Sequence, residues 1–339
     1  MIFDLRRLTV PWVAKKRKKI KTDMKKLIGI AIVAACLGLV LSCQKEGWGT
    51  RRSVQAVFSV QVPVESVTRA VSQGEKADVV FYEVWDEDFS ERLYPHSGKE
   101  DNSAEVRGGV AEIVMDLVKD QTFNLIFWAQ NEDCGAYSWQ NLKNVDVDYA
   151  KFTSDQKDVY DAFYAVVEGF RPDGSSKTVY LYRPFAQINF CASKMTTTMG
   201  ELSLQGNSVK VSQVARTFST ISGTGINPVN EVTFTTEAGY VEDRIIEVHG
   251  NDFTWVSMNY LLVPTLSSDK PSATVNLTAD FETELGTVRQ SVVNVPIQTN
   301  HRTNIVGDLF TAGTTLKIVV DPDFNKPDKP TIEVNNNNI

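Results

Sequence analysis

Cys43 is the residue with the clearest potential for covalent chemistry, because it ends a segment typical of protein export. Two lysines precede the uncharged apolar run Leu27–Leu41. At 15 residues, this run is shorter than the roughly 20 apolar residues that a bilayer-spanning helix needs. It ends in Val-Leu-Ser-Cys, where the small Ser42 gives a signal peptidase access to the backbone and the Cys43 thiol can accept diacylglycerol. The sequence therefore predicts a lipoprotein signal peptide over residues 1–42 and a lipidated Cys43.

The segment before Met24 is strongly basic, although Met24 opens a complete signal peptide by itself. We interpret residues 1–23 as a start codon assigned too early; the alternative is a nucleic-acid contact by Lys15–Lys19. The chain has 35 Lys and Arg against 42 Asp and Glu. Residues 1–42 contain 10 of the basic and 2 of the acidic residues. The remainder of the chain therefore has a net charge of −15. Phosphate backbones repel such an acidic protein, so nucleic acid is not an expected partner.

The other residues capable of chemistry do not form a recognisable active site. No two of the three histidines, His96, His249 and His301, have a metal-ligand spacing. The sequence has no G-x-S-x-G, Walker A or C-x-x-C motif. Asp86–Asp88 lacks the alternating pattern of a calcium loop and predicts a solvated turn. Acidic residues are plentiful enough to leave paired carboxylates for glycoside hydrolysis open. We nevertheless predict no enzymatic activity, no metal site and no cofactor.

Two further cysteines, Cys134 and Cys191, remain in the mature chain after Cys43 takes its lipid. They could pair in an oxidising periplasm or stay as separate buried thiols, and the sequence leaves both alternatives open. So few cysteines exclude a disulfide-rich scaffold, and stability must come from a hydrophobic core.

The tryptophans could form a surface on which sugar rings stack. Trp85 and Trp128 lie inside apolar strand-like runs, so we predict that they pack in the core. Trp139 belongs to the loop-like stretch Asn131–Asn144 and is the better candidate for an exposed aromatic residue.

The elements that position these residues are predicted to be β-strands. Val54–Val62 alternates apolar and polar residues, which is the period of a half-buried strand. Similar strand-like runs recur as far as Thr315–Val320, separated by Gly, Asn and Pro turn signals; they include Val79–Trp85, Val110–Val118 and Thr178–Phe190. One stretch, Val209–Phe218, has helical spacing and is a candidate helix, although Val209–Val211 is also a candidate strand. This pattern predicts an all-β fold with two β-sandwiches.

The predicted organisation after the signal peptide has four parts. Residues 43–53 form a lipid-anchored tether and residues 325–339 a polar tail. Between them we expect an N-terminal β-sandwich over residues 54–180 and a C-terminal β-sandwich over residues 181–324. The division follows the turn Arg171–Gly174.

Six short stretches, taken in order, have the character of one known group of proteins. They are Val79–Asp86, Phe123–Gln130, Asp161–Tyr164, Arg183–Phe190, Met258–Leu262 and Arg302–Leu309. In this order the chain resembles the fimbrillin-like lipoproteins of Bacteroidia, the subunits and accessory proteins of type V pili, including a related family of unknown function. The resemblance implies two transthyretin-like, Greek-key β-sandwiches, no catalysis, and export by lipidation to the outer membrane with surface display.

The resemblance also implies a processing site. In members that build pili, a trypsin-like protease cuts after an arginine in the loop that follows the first strand, and Arg69 followed by Ala70 occupies that place here. The cut would release Val54–Val62 and open a groove. A strand of a neighbouring subunit, such as Thr315–Val320 of a second copy, could then fill the groove. The alternative is that Arg69 is an ordinary, uncut loop residue.

These observations lead to two functional hypotheses. The first is a fimbrial subunit or fimbrillin-like surface adhesin component, lipid-anchored in the outer membrane, whose partners are other pilin subunits or copies of itself. The alternative is a monomeric surface lipoprotein that binds glycan or a host ligand through exposed aromatic residues. Gln44–Glu46 resembles the acidic surface-export signal of such lipoproteins, although it contains a single acidic residue.

Overall fold

The structure is a computed structural model of the chain. It describes residues 52–63, 77–94, 102–152, 157–197, 200–236, 245–248, 250–264, 272–311, 314–321 and 332–335. Nearly all of the regular structure in these ranges is β, which confirms the predicted all-β class. Helical structure in the same ranges consists of three short 3₁₀ helices, Glu132–Cys134, Tyr149–Lys151 and Lys157–Tyr160. No helix in these ranges is long and apolar enough to cross a bilayer.

The described residues contain 22 strands, numbered here in chain order. The first eleven are β1 (Ser53–Gln61), β2 (Val79–Trp85), β3 (Arg92–Tyr94), β4 (Asn102–Glu105), β5 (Val110–Val118), β6 (Phe123–Gln130), β7 (Tyr137–Asn141), β8 (Asn144–Val147), β9 (Phe163–Phe170), β10 (Ser176–Tyr180) and β11 (Phe185–Ala192). The others are β12 (Thr196–Thr197), β13 (Gly200–Glu201), β14 (Leu204–Ser219), β15 (Thr224–Thr236), β16 (Ile245–Val248), β17 (Asn251–Leu262), β18 (Ser272–Thr283), β19 (Gly286–Gln298), β20 (Arg302–Gly307), β21 (Lys317–Asp321) and β22 (Ile332–Asn335).

A three-stranded sheet and a five-stranded sheet enclose the smaller of two hydrophobic cores. The three-stranded sheet has the order β10-β1-β5, and the five-stranded sheet has the order β3-β2-β6-β9 with β4 paired to β2. Every second residue of β1 and of β5 points inward, as their period-two patterns require. This core contains Phe58, Ile113, Phe127 and Phe163.

The centre of the five-stranded sheet is buried on both faces, because its other side packs against the larger core. All eight residues of β6 are buried. Leu125 and Phe127 belong to the smaller core, whereas Ile126 and Trp128 belong to the larger one. The larger core lies against a twelve-stranded sheet whose main path is β19-β18-β14-β17-β11-β20-β21-β22. Trp85 and Trp128 are thus core residues, as predicted.

The two cores do not follow one another simply along the chain. Tyr137, Val145 and Tyr149 belong to the larger core, although they precede strands β9 and β10 of the smaller sandwich. The division into sandwiches of residues 54–180 and 181–324 stays a prediction about domains. The hydrophobic packing itself interleaves earlier and later segments.

The predicted helix at Val209–Phe218 is wrong, because these residues lie within the 16-residue strand β14. Val211, Val214, Ala215 and Phe218 have helical spacing, and all four are buried. The buried face changes at Gln213, which has a left-handed φ of +55° and is not paired with β15, although the pairing continues in the same register at Val214. Strict alternation of side chains needs extended backbone at every residue, so a strand interrupted by one left-handed residue can imitate the spacing of a helix.

The single strand predicted over Thr178–Phe190 is divided in the structure. Strand β10 ends at Tyr180 and β11 begins at Phe185, with Pro184 between them. Proline has no backbone N–H to donate to a sheet, and the break lets the chain leave the smaller sandwich for the larger core.

Candidate functional site

The residues predicted to be modified lie outside the described part of the chain. Cys43, Arg69 and Ala70 all fall in ranges for which the structure gives no description. Lipidation and proteolytic processing therefore stay predictions. The strand that cleavage would release, β1, is fully described.

Strand β1 fills the smaller core with one continuous row of side chains. Ala56, Phe58 and Val60 are completely buried, and Val62 is 4% exposed. The ring of Phe58 packs against the ring of Phe170, with centroids 5.0 Å apart, and also contacts Phe127. The apolar alternation predicted for Val54–Val62 is confirmed, although Val54 itself is only partly buried.

Strand β1 is the central strand of its sheet and has hydrogen-bonding partners along both edges. It pairs antiparallel with β5 from Ser53 to Gln61, and parallel with β10 from Val57 to Gln61. Backbone bonds also hold its two ends: the Lys119 N–H donates to the Arg52 carbonyl, and the Val62 N–H donates to the Gly109 carbonyl, both at 2.8 Å. Removal of β1 would leave an open slot between β5 and β10.

The loss of this strand would be severe for the smaller sandwich. Burial of each Val- or Phe-sized side chain contributes roughly 1.5–3 kcal/mol, so Phe58, Val60 and Val62 together contribute roughly 4.5–9 kcal/mol. The whole stability of a domain is about 5–15 kcal/mol. If β1 is removed, another strand must therefore take its place, or the smaller sandwich unfolds.

The proposed donor segment, Thr315–Val320, already has a place in its own subunit. Strand β21 pairs antiparallel with β20 on one edge and with β22 on the other. Leu316, Ile318 and Val320 are each at most 3% exposed, so the predicted apolar face is present and buried. A copy that donated this segment would have to open its larger core first.

A second candidate site was not anticipated from the sequence. It is an open cavity of about 430 Å³ beside β9 and β10, referred to here as the tyrosine cavity. Tyr164, Tyr180, Tyr182 and Ile221 contribute its largest side chains. The signal in the sequence is the run Val179–Tyr182, in which apolar residues alternate with tyrosines and only the former are buried.

The aromatic residue singled out from the sequence does not provide a free binding face. Trp139 lies on β7, in a hairpin with β8, and is partly buried. Its ring packs edge-on against Phe81, with ring centroids 5.0 Å apart. The stretch Asn131–Asn144 is therefore an ordered part of the larger core and not a long open loop.

The buried carboxylates of the described residues form hydrogen bonds and ion pairs with neighbouring side chains. Glu83 accepts hydrogen bonds from the Arg92 guanidinium at 2.7 Å and from the Trp85 indole at 3.0 Å. Asp161 forms a bidentate ion pair with Arg183. No cluster of metal-ligating side chains occurs in the described ranges. The predicted absence of enzymatic activity stays a prediction.

The two cysteines of the described region are separate buried thiols. Burial is the largest cause that raises the pKa of the Cys134 thiol above its ordinary value, and it raises the pKa of Cys191 further. A raised pKa keeps a thiol protonated and unreactive at neutral pH. Neither cysteine has the character of a nucleophile.

Several crystal structures match this chain over most of its length at low sequence identity. A candidate cell adhesion protein from Bacteroides ovatus is 13% identical, with 84% of this chain and 98% of that chain covered and a TM-score of 0.46. One from Bacteroides uniformis is 10% identical, with 81% and 99% covered and a TM-score of 0.47. A fimbrial assembly protein from Parabacteroides distasonis is 13% identical, with 79% and 95% covered and a TM-score of 0.39.

Sequence comparison identifies the family directly. No curated protein matches the sequence. A family model matches residues 49–338, which include both hydrophobic cores and every described strand. The family is described as one of unknown function, DUF6562. The chain therefore belongs to the DUF6562 family.

Proposed function

We propose that this protein is an exported, lipid-anchored subunit of a cell-surface assembly, of the fimbrial or adhesin kind, and that its first strand is replaced by a strand from another subunit. The observation that carries the proposal is the position of β1. It is central in its sheet, its apolar face fills the smaller core, and the segment that follows it contains Arg69. The resemblance to fimbrillin-like lipoproteins supports the same function.

The pairing of β1 explains why its replacement by a strand of another subunit gives a specific contact between the two subunits. After cleavage at Arg69, β1 is held by its ladders to β5 and β10 and by its buried side chains alone. An incoming strand regains both ladders, because backbone hydrogen bonds do not depend on side-chain identity. The pockets of Ala56, Phe58 and Val60 accept apolar residues at every second position, and this sets the register.

The energetics favour a donor strand that is not already folded into its own subunit. Withdrawal of the buried Leu316, Ile318 and Val320 from their own subunit costs about as much as filling the β1 slot contributes, since each site holds three large apolar side chains. Exchange with the C-terminal segment of a second copy is then close to neutral. A partner subunit with an unpaired strand loses no packing of its own, so the complex gains the whole free energy of filling the β1 slot.

Cleavage at Arg69 is tested with the soluble mature chain and three forms of residue 69. Trypsin cuts after arginine or lysine, whereas an arginine-specific protease does not cut after lysine. At the bond after residue 69, identified from fragment masses, we expect trypsin to cut the wild type and Arg69→Lys, the arginine-specific protease to cut the wild type alone, and neither protease to cut Arg69→Ala. Size-exclusion chromatography should show that each cut form, refolded from urea with an unpaired donor peptide, elutes with that peptide in place of β1. A cut protein that excludes the peptide, or an Arg69 that resists both proteases, contradicts the proposal.

One structural observation favours the alternative function, a monomeric lipoprotein that binds a ligand. The tyrosine cavity presents exposed aromatic side chains beside hydroxyl groups. Strand replacement and ligand binding use opposite edges of β10, so one protein can have both properties.

A further inference from the structure

We propose that the tyrosine cavity is a binding site for an uncharged carbohydrate. Three of its lining side chains are large, apolar and exposed in one place: Tyr180 is 65% exposed, Tyr182 is 62% exposed and Ile221 is 41% exposed. Tyrosine has a broad apolar ring face and a polar hydroxyl, which suits it to surfaces that are partly wet. A sugar ring has the matching character, with apolar C–H faces and a rim of hydroxyl groups.

The strands place the tyrosines on the outward face for a simple reason. Side chains alternate along a strand, and Val179 and Leu181 occupy the inward positions in the smaller core. Tyr180 and Tyr182 must therefore point away from that core. They lie about 7 Å apart along the chain, since same-face residues are separated by two strand rises.

The cavity lies where two sheet edges diverge. Strand β9 is at the edge of the five-stranded sheet, and β10 is at the edge of the three-stranded sheet. The two are joined at one end by a bridge, in which the backbones of Tyr164 and Tyr182 exchange hydrogen bonds of 2.9 and 2.8 Å. Beyond this bridge, Val166 and Tyr180 line the cavity and form no ladder with each other.

The turn between β14 and β15 completes the cavity and holds its shape. Tyr164 packs edge-on against Phe218, with ring centroids 4.6 Å apart. Its hydroxyl lies so close to Gly223 that a Cβ on this glycine would come within 2.8 Å of it. Gly223 also has a φ of +65°, which glycine adopts without strain. Because this wall is held in place before a ligand binds, less conformational entropy is lost on binding.

The lining chemistry selects an uncharged ligand. The described residues around the cavity include no acidic, basic or histidine side chain. Hydroxyl groups come from Thr178, Ser222 and the tyrosines, and the volume of about 430 Å³ falls within the roughly 300–1,000 Å³ of small-ligand sites. A phosphate, a carboxylate or a charged peptide finds no counter-charge here. A neutral, polyhydroxylated ring finds both apolar contact and hydrogen-bonding groups.

The test is native affinity electrophoresis of the uncut mature protein through gels that contain a neutral glucan, mannan, xylan or galactan. The variants are Tyr180→Ala, Tyr182→Ala and the conservative Tyr180→Trp. The control is Tyr94→Ala, which removes an exposed tyrosine of β3 that does not line the cavity. Thermal unfolding of each variant shows whether the fold is retained.

We expect at least one neutral polysaccharide to retard the wild type. Each alanine variant should bind it at least about tenfold more weakly with an unchanged unfolding temperature, because aromatic anchors dominate small binding surfaces. Tyr180→Trp and Tyr94→Ala should retain binding. The proposal is overturned if no gel retards the protein, if binding survives both alanine substitutions, or if only a charged polysaccharide binds. Because the protein is uncut, the result is independent of strand replacement at β1.

Discussion

Arg183 forms a bidentate ion pair with Asp161, in which Nε and Nη2 each donate to one carboxylate oxygen at 2.6 Å. Both side chains are 1% exposed. The guanidinium also lies over the ring of Phe163, 4.9 Å from its centroid. The pair sits where the chain changes cores: Ala162 packs in the larger core and Phe163 in the smaller one. It therefore ties two crossing segments together between the cores.

Removal of one partner of this pair should be much more harmful than removal of both. Asp161→Asn leaves a buried guanidinium without its counter-charge, and we expect a loss of about 3–5 kcal/mol in the free energy of unfolding. The double variant Asp161→Leu, Arg183→Met should recover much of that loss, because neither charge is then buried alone. Urea denaturation measures both.

The exposed pair of Asp280 and Arg289 provides the control for this prediction. Its arginine side chain is 68% exposed, and Asp280→Asn should cost less than about 1 kcal/mol. A similar loss for Asp161→Asn and Asp280→Asn would show that the buried pair does not hold the two segments together.

The two faces of the three-stranded sheet should respond differently to the same substitution. Val60 is completely buried on β1, whereas Val114 is 54% exposed on the neighbouring strand β5. We expect Val60→Ala to reduce the free energy of unfolding by roughly 1.5–3 kcal/mol, since it removes buried methyl groups and leaves a cavity. Val114→Ala should change it by less than about 0.5 kcal/mol. Equal losses in the free energy of unfolding for Val60→Ala and Val114→Ala would mean that Val60 does not point into the smaller core.

Cys134 and Cys191 should resist thiol reagents as long as the protein is folded. Burial raises the pKa of both thiols, so little thiolate forms at pH 8. With the soluble mature chain, in which Cys43 is replaced, we expect slow reaction with a chromogenic disulfide in buffer and rapid reaction of both thiols in urea. Rapid reaction of the native protein would place at least one thiol at the surface.

Lipidation of Cys43 is tested in cells by labelling with palmitate. The thiol is the predicted attachment point, so the wild type should incorporate label and Cys43→Ala should not. Cys134→Ala is the matched control and should be labelled like the wild type. Equal label in Cys43→Ala and the wild type would remove the lipid anchor from the proposal.

The strand pattern was readable from the sequence wherever one face of a strand meets a core. The predicted bounds of Val79–Trp85 and Val110–Val118 coincide with β2 and β5, because β-branched and aromatic enrichment and period-two alternation are local properties of the chain. The burial of Trp85 and Trp128 followed from the same argument.

Features that depend on distant segments could not be predicted in this way. The left-handed residue Gln213 gave β14 the spacing of a helix, because periodicity alone cannot distinguish such an interrupted strand from a helix. The tyrosine cavity forms only where Tyr180 and Ile221 lie close together. This proximity depends on the turn after β14 lying beside β10, which is a contact between segments distant in the sequence. The packing of Trp139 on Phe81 is likewise a contact between separate segments.

Replacement of β1 by an added peptide tests the central claim most directly. The mature protein is cut at Arg69, unfolded in urea and refolded with an excess of a labelled peptide that has the sequence of residues 53–62. A control peptide carries serine at the positions of Phe58 and Val60, whose side chains are completely buried in the native strand. We expect the first peptide to enter the cut protein, to co-elute with it as a monomer and to raise its unfolding temperature, while the uncut protein excludes it. Failure of the peptide to enter, or equal uptake of the serine peptide, would contradict the account.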